Sequence, residues 1–265
     1  MSDPLILISN DDGIQAAGLC ALCEAMLPLG EVVVMAPEVE RSAAGHAITL
    51  SDPLRVNEVD VEIPEVSAYS CSGTPADCIK LAILAVLPRR PNLVVSGINH
   101  GSNTGINVIY SGTISAATEG AILGVPSAAF SIDCWEVPDF SAAKVIATHV
   151  ARNILKHGLP KGTLLNINIP HLPVEQLPTG SLDGRGYALT VHGKADWQEQ
   201  FDRRVDPQNR VYYWLAGRKR EREEPPNTDE ATLRSGKVSI TPLHYDLTDH
   251  RHLVELAEWE LFQSA

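Results

Sequence analysis

The chain has 265 residues, of which 44% are hydrophobic and 20% are charged, and its formal net charge is −12 at pH 7. This length suits one large α/β domain, or a domain with an appendage, and the composition excludes a disordered chain. The negative charge argues against binding to nucleic acid or to an anionic membrane, because either surface would repel it. We therefore expect no nucleic-acid polymer and no membrane among its partners.

Two further features bear on the compartment in which the chain works. No apolar run approaches the roughly 18 residues that a membrane-spanning helix needs, and the amino terminus lacks a basic leader, so we expect no secretory signal. The five cysteines are an odd number in a chain large enough to need no disulfides, which is typical of a reducing compartment. We expect a cytoplasmic protein.

Strand-like apolar runs alternate with helical patterns from the amino terminus to about residue 170. The apolar runs lack polar alternation, which is typical of strands buried on both faces of a parallel sheet. The pattern predicts an α/β fold with a doubly wound, mostly parallel sheet. Strands are expected at residues 5–8, 31–35, 93–96, 127–131 and 163–169, helices near 18–29, 78–86, 115–123 and 141–157, and an extended or hairpin-like stretch at 50–68.

The pattern changes beyond Pro170, where turns become frequent and continuous apolar runs become rare. Residues 187–191, 211–215 and 238–241 are candidate antiparallel strands, and residues 249–261 are a candidate closing helix. We expect a main domain over residues 1–175 and a hairpin and helix extension over residues 176–265. The charged run at residues 218–226 indicates a solvated surface segment.

The first predicted strand ends in two adjacent carboxylates and a glycine, Asp11-Asp12-Gly13. Ligands of parallel sheets bind beyond the carboxyl ends of the strands, so two acids placed there suggest a hard metal ion. Taken alone, these residues are better explained by an Asx turn that caps the next helix. Other loops predicted at the same edge, however, supply Ser42, Asn99 and Asn103, and their convergence favours the metal.

The candidate metal ligands all offer oxygen atoms. Carboxylate, hydroxyl and carboxamide oxygens suit Mg²⁺, Mn²⁺ or Ca²⁺, whereas thiolates and several imidazoles would indicate zinc. Because few protein ligands are on offer, the ion should keep positions open for water. Such an ion can bind a phosphoryl oxygen and make a bound water more acidic, which is what hydrolysis of a phosphate ester requires.

Two short segments before predicted helices are candidates for binding phosphate, Gly73-Thr74-Pro75 and Ser111-Gly112-Thr113. Helix amino termini offer unpaired amide hydrogens and a positive dipole end to an anion. Both segments are also common helix caps, so a purely structural role is equally consistent with them. His46 and His100 are candidate general acids by position, with a structural role as the alternative.

Five motifs in a fixed order give the chain a close family resemblance. They are Ser9-Asn10-Asp11-Asp12-Gly13 and the segments at residues 36–42, 72–78, 95–105 and 110–113, and the segments at 227–229 and 238–243 fit the same pattern. In this order they resemble the family of the stationary-phase survival protein SurE, across nearly the whole chain. The charged run at residues 218–226 is less typical of that family.

The resemblance implies a metal-dependent phosphatase that acts on nucleoside 5′-monophosphates, and also on 3′-monophosphates and short polyphosphate. It implies one divalent ion per subunit, Mg²⁺ or Mn²⁺, or Ca²⁺ in crystals, held by residues matching Asp11, Asp12, Ser42 and Asn99. It also implies a Rossmann-like catalytic domain, with a carboxyl-terminal extension exchanged between the subunits of a homodimer or homotetramer.

On this basis we expect a metal-activated water to attack phosphorus, with Asp11 and Asp12 as the catalytic carboxylates that anchor the metal. The candidate phosphate- and substrate-binding residues are Asn10, Gly13, Gly73, Thr74, Asn103, Ser111, Gly112 and Thr113. An alternative makes Asp11 a nucleophile that forms an aspartyl-phosphate, although the D-x-D spacing that would supply both a nucleophile and an acid is absent.

Two other classes of protein stay open at this point. One is a dinucleotide-binding oxidoreductase, which the missing G-x-G-x-x-G fingerprint disfavours. The other is a nucleotide sensor that binds in the same pocket without turnover. Trp135, Tyr110 and Tyr245 are candidates for stacking on a base, or for ordinary core and rim packing.

Overall fold

The structure is a computed structural model that describes residues 3–136, 139–176, 186–194, 197–219, 223–259 and 261. Its strands are β1 Leu5–Ser9, β2 Glu31–Pro37, β3 Val56–Val59, β4 Val66–Cys71, β5 Leu93–His100, β6 Ser127–Ile132, β7 Thr163–Ile169, β8 Tyr187–Leu189, β9 Trp197–Val205, β10 Val211–Lys219 and β11 Val238–His244. Its α-helices are α1 Ala17–Met26, α2 Pro75–Leu81, α3 Asn107–Tyr110, α4 Gly112–Ile122, α5 Ser141–His157, α6 Asp229–Arg234 and α7 Leu253–Ala257.

A nine-stranded sheet with the order β3-β4-β2-β1-β5-β6-β7-β11-β8 forms the centre of the molecule. The six strands from β4 to β7 in this order run parallel. The order reverses at β1, because the chain continues to β2 on one side and later returns to β5 on the other. Such a switch point opens a crevice at the carboxyl ends of the strands. The predicted doubly wound, Rossmann-like α/β fold is confirmed.

Helices cover both faces of this sheet, which explains the unbroken apolar runs. Ile6 and Ile8 pack in the layer that contains α1 and α5, whereas Leu7 packs against α2 and α4. All three side chains are fully buried. Burial of such a side chain stabilises a fold by roughly 1.5–3 kcal/mol, so β1 is a firm base for the loop that follows it.

Three predicted boundaries near the crevice were wrong. Strand β5 runs on to His100 through a shift in its pairing with β6, so Asn99 lies in a strand and not in a loop. Gly97 permits this path, since its φ is +126° and a Cβ there would lie 2.3 Å from the carbonyl oxygen of Phe130. Helices α2 and α4 begin three residues earlier than expected, because Thr74 and Ser111 are their N-caps.

The carboxyl-terminal part corrects two further expectations. Strand β8 is parallel to β11, not antiparallel, since the long connection between them allows a crossover. The expected closing helix is only the short α7, because Asp249 uses its side chain to bond the amide of Arg251 and the ring of His252. Strand β11 is antiparallel to β7, and β9 and β10 form the expected antiparallel hairpin.

The extension therefore has two structural parts. Strands β8 and β11 continue the main sheet, whereas the β9–β10 hairpin forms a sheet of its own. The division of the chain at residue 175 stays a prediction, and residues 220–222 of the charged run lie outside the described residues. Within the described ranges, no helix is long and apolar enough to cross a membrane.

Candidate active site

A cleft of about 570 Å³ opens at the switch point, beyond the carboxyl ends of β1 and β5. This volume falls in the usual range of small-molecule sites. The segments that line it include the end of β5, follow β1, β2, β5 and β6, or precede α4. The lining residues are Asp11, Asp12, Ala16, Ala17, Glu40, Ser42, Ala43, Asn99, His100, Gly101, Ser102, Asn103, Asn107, Tyr110, Ser111 and Trp135.

The structure brings together some predicted site residues and separates others. Six of the twelve candidate metal- and phosphate-binding residues line the cleft: Asp11, Asp12, Ser42, Asn99, Asn103 and Ser111. Asn10, Gly13, Gly112 and Thr113 do not line it, but Gly112 and Thr113 contact Asp11. Gly73 and Thr74 are not among the lining residues, and neither is His46, so His100 is the only one of the two candidate histidines that lines the cleft.

Asp11 lies on the floor of the cleft and is only 5% exposed. The hydroxyl of Thr113 donates a hydrogen bond to its Oδ1. Gly112 lets α4 approach this closely, since a Cβ there would lie 2.6 Å from the Cβ of Asp11. Burial raises the pKa of Asp11, although the Thr113 hydroxyl and the amides of Gly112 and Thr113 act to lower it. The amino terminus of α4 thus faces a carboxylate.

Asp12 is partly buried beside Asp11. Burial, and after it the negative charge of Asp11, raise the pKa of Asp12 to about 6. The nearby His100 opposes this shift. Two adjacent carboxylates held together in this way repel each other, and a cation between them would relieve the repulsion.

The side chains of Ser42 and Asn99 leave oxygen atoms open for a ligand. The Ser42 hydroxyl donates to Glu40 Oε1 at 2.6 Å, so its lone pairs are available as acceptors. The Asn99 amide nitrogen donates to the carbonyl oxygens of His100 and Gly101 at 3.0 and 2.8 Å. This fixes the orientation of the Asn99 amide, whose Oδ1 makes no hydrogen bond within the described part of the chain.

The donor set at the cleft fits a hard divalent cation. Among the described residues, no group of three or more His, Cys, Asp and Glu side chains could hold a metal. A metal here would instead combine the two carboxylates of Asp11 and Asp12 with the neutral oxygens of Ser42 and Asn99. Such an all-oxygen set suits Mg²⁺ or Mn²⁺ and is a poor match for zinc.

Asn10 and Gly13 shape the acidic loop from within. The Asn10 amide nitrogen donates to the carbonyl oxygen of Gly13 at 2.9 Å, and Gly13 has a φ of +101°, which favours glycine. The side chain of Asn10 is buried, and its Oδ1 has no hydrogen-bond partner within the described residues. These two residues therefore set the path of the chain between β1 and the acids.

Asn103 is fixed from below by polar side chains of the sheet. Its amide nitrogen donates to Ser131 Oγ at 2.8 Å, and its backbone N–H donates to Asn168 Oδ1 at 2.7 Å. Its carbonyl oxygen accepts from the amides of Asn166 and Asn168. Sequence reasoning missed Asn166 and Asn168, although two asparagines within an apolar strand are an available signal of a buried polar network.

Comparison with known proteins gives one consistent answer. The chain matches the family described as survival protein SurE over residues 6–199. It is 46% identical to the 5′-nucleotidase SurE of Christiangramia forsetii over 97% of each chain, and 48% identical to that of Moorella thermoacetica over 97% of this chain and 96% of the relative. The crystal structure of SurE protein from Aquifex aeolicus superposes with a TM-score of 0.82 at 37% identity, covering 96% of this chain and 98% of that one.

The chain belongs to the SurE family. The resemblance that the five motifs indicated is thereby confirmed. All residues that line the cleft fall within the matched range, whereas β11 lies beyond it. The part of the chain that matches the family model therefore contains the whole lining of the cleft.

Aromatic side chains at the rim of the cleft complete this SurE-family site. Trp135 is 78% exposed and packs its ring against Gly101, and Tyr110 is 58% exposed on the same cleft. Tyr245, the third candidate for base stacking, lines a different pocket together with His46. Glu40, which accepts the Ser42 hydrogen bond, was missed, because nothing in the local sequence distinguishes it from a surface acid.

Proposed function

We propose that the chain is a divalent-metal-dependent 5′-nucleotidase that releases phosphate from nucleoside monophosphates in this cleft. The observation that carries the proposal is the convergence of Asp11, Asp12, Ser42 and Asn99 on one cleft at the switch point of the sheet. Relatives that span nearly the whole chain at 46–48% identity are named 5′-nucleotidase SurE.

In this proposal Asp11, Asp12, Ser42 and Asn99 hold one Mg²⁺ or Mn²⁺ ion per subunit. When bound, such an ion polarises a phosphoryl oxygen and lowers the pKa of water. Thr113 and Gly112 hold the Asp11 carboxylate in place from α4. Ser111 lines the cleft at the start of that helix, and the proposal gives it a contact with the phosphate. Asn10, which does not line the cleft, acts by fixing the acidic loop.

The base is proposed to lie at the rim, between the phosphate site and solvent. Trp135 and Tyr110 offer exposed aromatic faces there. Stacking of a base on an aromatic side chain contributes about 1–3 kcal/mol and tolerates any base. The substrate range proposed includes 3′-monophosphates and short polyphosphate, which the family resemblance implies.

We further propose that the chain works as a homo-oligomer that exchanges its carboxyl-terminal extension. One face of the β9–β10 hairpin exposes apolar side chains, with Phe201 at 69%, Leu215 at 64% and Tyr213 at 58% exposure. Leu247 and Leu261 are 89% and 79% exposed. So much apolar surface on extended elements is typical of segments that pack on another copy. Light scattering should show a dimer or tetramer, and a monomer would contradict this part.

Phosphate release from a panel of nucleoside monophosphates tests the function directly. The panel contains 5′- and 3′-monophosphates, each with Mg²⁺, Mn²⁺ or a chelator. Release that the chelator abolishes is expected. Tight nucleotide binding without release, under every metal condition, would instead favour the nucleotide sensor.

A single turnover with a phosphate ester that is chiral at phosphorus separates direct attack by water from the aspartyl-phosphate alternative. Direct attack inverts the configuration at phosphorus, whereas two successive displacements through an aspartyl-phosphate retain it. A parallel turnover in ¹⁸O-water shows whether Asp11 takes up the label. Label in the Asp11 carboxylate would establish a covalent intermediate.

A further inference from the structure

Ser42 lies in an exposed loop that has no regular structure. Residues 38–55 form no helix or strand, and we name residues 38–50 the Ser42 loop. Its apolar side chains face solvent, with Val39, Ile48 and Leu50 at 58%, 47% and 87% exposure. Burial therefore does not hold this loop, and its position must come from hydrogen bonds.

Two backbone bonds tie the first half of the Ser42 loop to the cleft. The amide of Arg41 donates to the carbonyl oxygen of Asp11 at 2.7 Å, and the amide of Gly45 donates to that of Tyr110 at 3.0 Å. The Arg41 guanidinium also donates to the carbonyl oxygen of Ser72 at 3.1 Å. These bonds place Ser42 beside Asp11, but they leave the second half of the loop to other anchors.

Asp77 anchors the end of the loop from the first turn of α2. Its carboxylate is 3% exposed and accepts from the amide of Thr49 at 3.0 Å and from the Thr49 hydroxyl at 2.6 Å. The neighbouring Thr74 hydroxyl donates to the carbonyl oxygen of Ala47 at 2.7 Å. The Gly73-Thr74-Pro75 segment, predicted to bind phosphate, thus contacts the Ser42 loop instead.

Glu119 anchors the middle of the loop from α4. This carboxylate is 2% exposed, and its Oε2 lies 2.9 Å from Nε2 of His46. Its Oε1 forms an ion pair with Lys80 of α2 at 2.5 Å. The hydrogen bonds and charges of His46 and Lys80 lower the pKa of Glu119 despite its burial, so the carboxylate stays charged. A buried acid thus connects α2, α4 and the loop.

We propose that Asp77 and Glu119 are positioning residues, which hold the Ser42 loop so that the Ser42 hydroxyl faces Asp11 and Asp12. This role rests on the proposed function, in which Ser42 is a metal ligand. The alternative is that both acids only stabilise the ends and the packing of α2 and α4. The two roles predict different results when the loop residue of each contact is replaced and the acid is kept. Only the positioning role then predicts weaker metal binding.

The test therefore changes His46 and Thr49 and leaves both acids in place. In Thr49→Val the capping of α2 by Asp77 and Thr74 is retained, and in His46→Ala the Lys80–Glu119 pair is retained. His46→Gln keeps an amide that can donate to Glu119. Ser51→Ala is the matched control, since Ser51 is an exposed neighbour whose hydroxyl, among the described residues, bonds only Asp52.

Mn²⁺ binding to the nucleotide-free protein is measured by titration calorimetry, and amide exchange of residues 41–49 is measured in the metal-free protein. The His46→Ala/Thr49→Val double variant should bind Mn²⁺ up to about 10-fold more weakly, the lower end of what losing an outer support of a metal ligand costs, because it cannot exceed the loss of Ser42 itself. Its loop amides should exchange faster. His46→Gln and Ser51→Ala should match the wild type in both measurements.

Two results would overturn different statements. Unchanged Mn²⁺ affinity and loop exchange in the double variant, beside a wild type that binds the metal, would reduce Asp77 and Glu119 to structural residues. If the wild type binds no Mn²⁺, the proposed metal site is wrong, and Ser42 then has no ligand role that requires positioning. Faster loop exchange with weaker Mn²⁺ binding in the double variant, partly restored in His46→Gln/Thr49→Val, where the Glu119 contact is rebuilt, would support the positioning role.

Discussion

Asp11, on the floor of the cleft, is 5% exposed, whereas Trp135 on its rim is 78% exposed. The floor also includes Asn103, which four hydrogen bonds fix to the sheet. The rim includes Ser42, whose loop is held by bonds to buried acids without burial of its own. The floor is thus rigid because the fold buries it, and the rim depends on a few polar contacts. Substitutions on the floor should affect the chemical step, and substitutions on the rim should affect binding.

The largest effect is expected for Asp11→Asn, which removes a charge from the floor. Metal-assisted charge stabilisation contributes several kcal/mol, and 1.36 kcal/mol is a factor of ten, so phosphate release should fall on the order of 10³-fold. The amide oxygen can still accept from Thr113, so thermal unfolding should stay cooperative. Phosphate release with saturating Mg²⁺ checks this, with the exposed Asp52→Asn as control. Full activity in Asp11→Asn would contradict the assignment of Asp11 as a catalytic metal ligand.

Ser42→Ala tests the rim ligand and should have a smaller effect. A neutral oxygen is lost at an exposed position, where water can take its place at the metal. We expect the apparent affinity for Mg²⁺ to fall about 10-fold, with kcat largely restored at saturating metal. Activity measured across a Mg²⁺ titration shows the difference, with Ser51→Ala as control. A kcat that stays about 10-fold low at saturating Mg²⁺ would show that Ser42 acts in the chemical step, as the floor residues are expected to do.

Trp135→Ala tests the rim as a surface for the base. Loss of one stacking contact costs about 1–3 kcal/mol, so kcat/KM for nucleoside monophosphates should fall about 10-fold. Hydrolysis of glycerol 3-phosphate, which has no aromatic ring to stack, should change much less, and Trp135→Phe should retain most of the activity on nucleotides. Equal losses on both substrates would show that Trp135 supports the cleft without contacting a base.

The residues on the floor were easier to predict from the sequence than the contacts that support the rim. An apolar run that ends in Asp11 and Asp12 suffices to place both acids at the carboxyl edge of a parallel sheet. The role of Thr74 was ambiguous, because anion binding and capping require the same residues at a helix amino terminus. The sequence does not show which group faces that terminus.

The contacts of the Ser42 loop are long-range, which explains why no local pattern indicated them. His46 and Glu119 are 73 residues apart in the chain, and Thr49 and Asp77 are 28 residues apart. Asn99 was predicted in a loop for a related reason. The shift in β5 pairing depends on the close approach of Gly97 to the Phe130 carbonyl, which belongs to the neighbouring strand.

The smallest effect is expected in the stability of the metal-free Asp12→Asn variant, whose free energy of unfolding should differ from that of the wild type in a pH-dependent way. Burial and the charge of Asp11 raise the pKa of Asp12 from 3.8 to about 6. Between these values the folded protein binds more protons than the unfolded chain, so the free energy of unfolding falls as the pH rises through this range. Above pH 6 the charged Asp12 lowers the free energy of unfolding of the metal-free wild type by the full amount. Asp12→Asn removes this loss of stability. Two pKa units correspond to about 3 kcal/mol, and the partial exposure of Asp12 reduces this to about 1–2 kcal/mol.

Urea unfolding in the presence of a chelator, at pH 4 and at pH 7.5, measures this difference. The variant should be more stable than the wild type at pH 7.5 and nearly equal to it at pH 4. Saturating Mg²⁺ should stabilise the wild type at pH 7.5 and the variant much less, because the cation relieves the repulsion that the substitution has already removed. A variant that is equally more stable at both pH values would show that the charge of Asp12 is not the cause. The lower stability of the wild type would then come from the packing of the Asp12 side chain, and not from the repulsion between the two carboxylates that are proposed to bind the cation.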